Sequence, residues 1–155
     1  FEIGRKVALG RIKNRLFGTP VLNRNQYLKI NQSVSFDDIH KIYSNHTLSL
    51  NITELAFTFN FRKPVHKIHL RTFEIGMSGG AQIAPYIDEL AGYYEEDKEI
   101  ILCKSDEEFI SKAGFYLDPS NADLVLKIKQ NARTRSLAEH TWTHRFDKLF
   151  ARLFS

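Results

Sequence analysis

Cysteine occurs once in the 155 residues, at Cys103, so no internal disulfide can form and no cysteine-clustered zinc site can be assembled. That usage fits a reducing compartment. No apolar run approaches the roughly 18–20 residues a membrane span requires, and the basic stretch at the start is not followed by the apolar core of a signal peptide. The expectation is a soluble, cytoplasmic domain. Glycine and proline, at 8 and 4 residues, are too few for a linker or a collagenous chain. Acid is nearly missing from residues 1–30, where Glu2 stands alone against Arg5, Lys6, Arg11, Lys13, Arg15, Arg24 and Lys29.

What is present has globular proportions, with 43% hydrophobic and 26% charged residues. A chain of this length suits one domain with its own core, so residues 1–155 are expected to form a single domain. The net charge of +4 favours anionic ligands without naming one. Opening on Phe1 rather than Met sets the further expectation of a trimmed piece of a longer protein.

Residues 4–17 place Val7, Ala8, Ile12 and Leu16 at helical spacing among basic residues, and Gly18-Thr-Pro20 ends that helix. Tyr27, Leu28, Ile30 and Val34 suggest strand near position 30. Ser35-Phe-Asp-Asp38 caps a helix carrying Phe36, Ile39, Ile42 and Tyr43. The alternation of Leu48, Leu50 and Ile52 then predicts a strand with those three side chains on one face. A long connection over 53–66, closed by Pro64, follows. Ile68, Phe73, Ile75 and Met77 predict a buried helix over 67–78, ended by Gly79-Gly80. Strands at 81–84 and 99–103 flank a helical turn at 86–90. Ser105-Asp-Glu-Glu108 is a capping box opening a helix to Leu117. A second helix runs over 120–138, and a last one from about Thr141 sets Trp142, Phe146, Leu149, Phe150 and Leu153 on one stripe. Such alternation predicts an α/β fold, a Rossmann-like parallel sheet flanked by helices, with ligands at the carboxyl ends of the strands.

Chemistry concentrates in His66-Lys-Ile-His-Leu-Arg-Thr-Phe-Glu-Ile-Gly-Met-Ser-Gly-Gly80. Three or four potential cations, His66, Lys67, His69 and Arg71, gather about the expected helix start, where a phosphate group is held without a metal. Glu74, one turn after Arg71, is placed to meet adjacent hydroxyls such as those of a ribose. The structural alternative is an Arg71–Glu74 ion pair on an ordinary packing helix.

The run Leu70-Arg-Thr-Phe-Glu-Ile-Gly-Met-Ser-Gly-Gly80, with Pro85-Tyr-Ile-Asp-Glu-Leu90, Lys98-Glu-Ile-Ile101 and Glu139-His-Thr-Trp-Thr-His-Arg145, resembles the C-terminal half of spore-maturation CgeB-like glycosyltransferases. These are GT-B enzymes similar to family 4, and the four pieces match in order over about residues 35–154. The resemblance implies the donor-binding half of a retaining, metal-independent, two-domain enzyme that needs no cofactor and transfers a sugar from a nucleotide diphosphate. It implies that Glu74 holds the donor ribose, that Arg71 neutralises phosphate, and that Gly79 and Gly80 let backbone approach the donor. His66 stands where family 4 enzymes carry an earlier acid, eight positions before Glu74. The partner it implies is an N-terminal acceptor-binding domain, without which the half shown here is inactive; membrane association would come through the full-length protein.

Other constellations are weaker. His66 with His69 and His140 with His144 have helical spacing, but neither pair has the third ligand a metal site needs, so no metal is expected and a hydrogen-bonding role suits His140 and His144. Ser78 lies in a Gly-Met-Ser-Gly-Gly run that ends a helix, whereas a nucleophile elbow joins strand to helix. Cys103 reads as a small buried hydrophobe. The alternative function is a non-catalytic Rossmann-like scaffold that contacts a polyanion, nucleic acid or an anionic membrane, through the basic helix at 4–17. No motif for specific nucleic-acid recognition accompanies that helix.

Overall fold

The computed structural model describes residues 32–55, 58 and 64–154. The basic helix expected over 4–17 and the strand expected near residue 30 lie outside them. Described residues from Val34 onward form one unit. Its elements are α1 (Ile39–Asn45), β1 (Ser49–Leu50), α2 (Arg71–Met77), β2 (Gln82–Pro85), α3 (Asp88–Tyr93), β3 (Ile101–Cys103), α4 (Asp106–Leu117), a 3-10 turn at Pro119–Asn121, α5 (Ala122–Glu139) and α6 (Trp142–Leu153).

The three strands form a parallel sheet in the order β1-β2-β3, with Leu50 opposite Ile83 and Ala84 opposite Leu102. Parallel neighbours need crossover connections, here α2 and α3, so the sheet is covered by helices as the α/β alternation predicts. Apolar residues fill both faces. On one, Ala81, Ile83, Ile101, Tyr116, Val125 and Ile128 pack together; on the other, Phe73, Ala84, Leu90, Tyr94, Ile100 and Leu102 do.

Local signals explain the helix ends. Ser105 Oγ accepts the Glu108 N–H at 3.2 Å and caps α4, while Glu108 Oε2 reaches back one residue further, to the Lys104 N–H at 2.7 Å. Asp118 Oδ1 accepts the Ser120 N–H at 2.8 Å where the chain turns into α5. Thr141 is the N-cap of α6.

Three expectations are corrected. The helix predicted from Phe36 starts at Ile39; Ser35 donates instead to Asp38 at 2.9 Å, and Phe36 is 78% exposed. The face of the segment predicted as the first strand is also inverted where it runs on past β1: Leu50 and Ile52 are 53% and 55% exposed, while Asn51 and Thr53 are fully buried. Only Leu48 of the predicted stripe packs against the core. The inner face after Leu50 is the one that meets α2, and it is polar because Asn51 bonds to that helix. Finally, α2 starts at Arg71 rather than 67, because 65–67 are drawn into extended pairing with 53–55: Leu55 N–H donates to Val65 O at 2.8 Å and Lys67 N–H to Thr53 O at 2.7 Å.

Gly76 and Gly80 permit close packing of α2. A methyl at Gly76 would overlap Ser136 Oγ on α5, and one at Gly80 would lie 2.9 Å from the Tyr43 carbonyl oxygen. The stripe of α6 stays outside: Trp142 is 58% exposed and stacks on Phe146, which stacks on Phe150, at centroid distances of 5.8 and 6.0 Å.

Candidate functional site

The carboxyl ends of the strands converge on one edge. There β1 leads into Glu54 and its bridge partner His66, β2 into Tyr86, and β3 into Lys104 and Ser105. These residues, with Asp106, line a cavity of about 270 Å³. His66 is half-buried, and its Nδ1 lies 3.0 Å from Thr53 Oγ1, which fixes the ring at the end of the connection. Lys104 Nζ sits 4.7 Å from the centre of the Tyr86 ring, a cation over an aromatic face. Tyr86 and Lys104 were not singled out from the sequence, although each is the first residue beyond a strand's carboxyl end and the rule for ligand placement in parallel sheets points to that position.

The remaining predicted residues are distributed along α2 and its lead-in. Lys67 and Arg71 are exposed, His69 and Glu74 half-buried. His69 opens not onto the His66 cavity but onto a neighbouring one of about 360 Å³, which it shares with Phe73, Tyr93, His140, Arg145 and Lys148. Glu74 lines a small recess of about 40 Å³ beside Trp142 and Arg145. Arg71 and Glu74 lie on the first turn of α2, and among the described residues no ion pair joins them to each other or to another side chain. The structural alternative of an Arg71–Glu74 bridge is therefore absent.

Gly79 and Gly80 do not join this group. They follow the C-terminal end of α2 and lead into the amino end of β2, away from the edge where His66 and Tyr86 meet. Gly79 has φ 74°, the left-handed conformation that favours glycine after a helix. Gly80 N–H donates to Ile75 O at 2.9 Å, and the space beside it is taken by Tyr43. Both glycines are accounted for by turn geometry and packing.

Arg145 enters the site from α6, its guanidinium 4.1 Å from the centre of the Phe73 ring. His140 beside it is buried, with Nε2 3.1 Å from the Tyr93 carbonyl oxygen, and burial holds its imidazole below the usual histidine range. His144 Nδ1 lies 2.7 Å from Thr141 Oγ1. Both histidines thus serve hydrogen bonds at the junction of α5 and α6. Cys103 is buried, and burial pushes its thiol up. Among the described residues no three His, Cys, Asp or Glu side chains gather to hold a metal, and no helix is long and apolar enough to cross a membrane.

A family model described as glycosyl transferase-like matches residues 4–151. The chain belongs to that family. No curated protein and no solved structure matches it. The α/β architecture of this glycosyl transferase-like domain, a parallel sheet with flanking helices, is that of a Rossmann-like half of a GT-B enzyme. Its cavity at the carboxyl edge of the sheet is where such a fold accepts ligands.

Proposed function

We propose that this domain binds a nucleotide-diphosphate sugar and is the donor half of a retaining, metal-independent GT-B glycosyltransferase of the CgeB-like kind. The observation that carries the reading is the glycosyl transferase-like match spanning the Arg71–Glu74 turn, with both side chains unpaired among the described residues. The acceptor-binding domain is a second partner, and transfer requires it.

In the reaction the bond between the anomeric carbon and the diphosphate oxygen breaks, and a bond from that carbon to an acceptor hydroxyl oxygen forms. Negative charge builds on the departing diphosphate. The positive side chains of Arg71 and Lys67 oppose that charge, with His69 donating a hydrogen bond, and stabilising charge that builds in the transition state lowers the barrier. Arginine suits the task because its planar fork matches two phosphate oxygens at once. Glu74 accepts hydrogen bonds from the ribose hydroxyls and sets the nucleoside relative to those cations. His66, in place of the earlier acid of family 4, adds a phosphate contact at the strand edge.

Calorimetric titration of the chain with ADP, CDP, GDP and UDP tests the reading directly. One nucleotide binds, and Glu74→Gln weakens it about tenfold or more, because a charge-assisted bond is lost. Absence of binding at millimolar ligand, or equal binding by Glu74→Gln and Arg71→Ala, would overturn it.

A further inference from the structure

A polar network is buried directly beneath the turn that bears Arg71 and Glu74. Asn51 Nδ2 donates to Thr72 Oγ1 at 2.9 Å and to Gln82 Oε1 at 3.0 Å, while Gln82 Nε2 donates to the Thr72 carbonyl oxygen at 3.0 Å. Asn51 directly follows β1, Thr72 lies in α2 and Gln82 in β2, and each is at most 1% exposed. Thr72 thus receives a bond on its side chain from the residue just after β1 and one on its backbone from β2. Bonds from these two neighbouring segments oppose both rotation of the helix about its axis and sliding along it.

This network is not the arrangement that stability alone would select. Asn51 Oδ1 is buried with no hydrogen-bond partner among the described residues, a costly state for an amide oxygen. Apolar side chains at the same places would avoid that cost, and the rest of this sheet face is filled with them. The unpaired oxygen is the consequence of aiming the amide nitrogen at Thr72 and Gln82 together. Neither Asn51 nor Gln82 can reach a ligand, because both are covered.

We propose that Asn51, Thr72 and Gln82 are positioning residues that hold the first turn of α2 in register with the strand ends, and that the nucleotide affinity of Arg71 and Glu74 depends on them. The proposal rests on the donor-binding reading above. Thr72 sits between the two functional residues, so rotating the turn displaces both side chains together, and small displacements of positioned groups are expensive.

Two variants break the network from different elements: Thr72→Val removes the hydroxyl that accepts from Asn51, and Gln82→Met removes the bond to the Thr72 carbonyl. Thr72→Ser restores the hydroxyl. Each is titrated calorimetrically with whichever of ADP, CDP, GDP and UDP binds the wild type, alone and combined with Glu74→Gln, and thermal unfolding confirms that each is folded. Thr72→Val and Gln82→Met are expected to weaken binding about tenfold, with Thr72→Ser near wild type. In either background, the penalty of Glu74→Gln is expected to shrink several-fold, because a misaligned carboxylate no longer contributes. A loss of stability alone would leave that penalty unchanged. Full affinity in folded Thr72→Val and Gln82→Met, or an undiminished Glu74→Gln penalty, would overturn the positioning role. No nucleotide binding by the wild type would instead overturn the donor reading and this proposal with it.

Discussion

Substituting Gly76 by alanine tests the packing that holds α2 against α5. In an open helix the change is favourable, by about 1 kcal/mol of intrinsic propensity. Here the new methyl would overlap Ser136 Oγ and lie 3.2 Å from the Tyr94 hydroxyl and 3.3 Å from the Ala132 carbonyl oxygen. Ser136 cannot simply turn away, because its hydroxyl bonds to the Ala132 oxygen at 2.6 Å and lies 2.8 Å from the Tyr94 hydroxyl. Losing both bonds costs about 2 kcal/mol at roughly 1 kcal/mol each. Crowding of the remaining atoms adds about 1 kcal/mol, the low end for overpacking. The balance is a destabilisation of about 2 kcal/mol, read as a lower midpoint in urea unfolding. Ser136→Ala removes the obstructing oxygen, so in that background Gly76→Ala should be neutral or stabilising. A stable Gly76→Ala protein, or a penalty of the same size in both backgrounds, would refute the argument.

His140 makes stability depend on pH. Burial among Phe73, Tyr93 and Tyr94 lowers its pKa from 6.5, an effect that outweighs the opposing bond to the Tyr93 carbonyl. The unfolded state therefore takes up the proton first; the contribution is intact above about pH 6.5 and is lost as pH falls through the lowered value. Thermal unfolding at pH 7.5 and 5.5 should show a smaller difference in His140→Gln than in the wild type, and an equal difference would contradict this. Lys112 donates to the Leu102 carbonyl at 2.8 Å and lies 3.1–3.3 Å from Asp97, Glu96 and Glu108. Burial alone would lower its pKa, but these acids raise it above the ordinary lysine value. Lys112→Met leaves three carboxylates facing one another and should cost about 1–2 kcal/mol, partly recovered at high salt. A variant insensitive to salt would exclude the electrostatic explanation.

The sequence was most legible where structure is decided by neighbours along the chain. The box at Ser105–Glu108 names its own partners, and the run Ile100–Cys103 is apolar on both faces because a parallel strand is covered twice. Alternation over 48–52 does not predict the inward face, because it assumes that apolar side chains point inward. At Asn51 the inner position is instead occupied by an amide that serves Thr72 and Gln82, a pairing across 21 and 31 residues that periodicity cannot express. The start of α2 was placed early for a similar reason, since the pairing of 65–67 with 53–55 overrides a helical pattern. His66, Arg71 and Glu74 were found from residue type and resemblance. Tyr86 and Lys104 emerge only when strand ends are brought to one edge. The position of Gly79-Gly80 at the far end of α2 does not support the ligand role that the resemblance implies for it.

The central claim, that a nucleotide diphosphate occupies the edge bearing Arg71 and Glu74, is tested most directly by amide chemical-shift mapping during titration of isotopically labelled protein. Saturable shifts should concentrate at Lys67–Glu74 and at His66, Tyr86 and Lys104, and fade in Glu74→Gln. Shifts confined to α6 or to the Gly79-Gly80 turn, or none at millimolar nucleotide, would contradict the account.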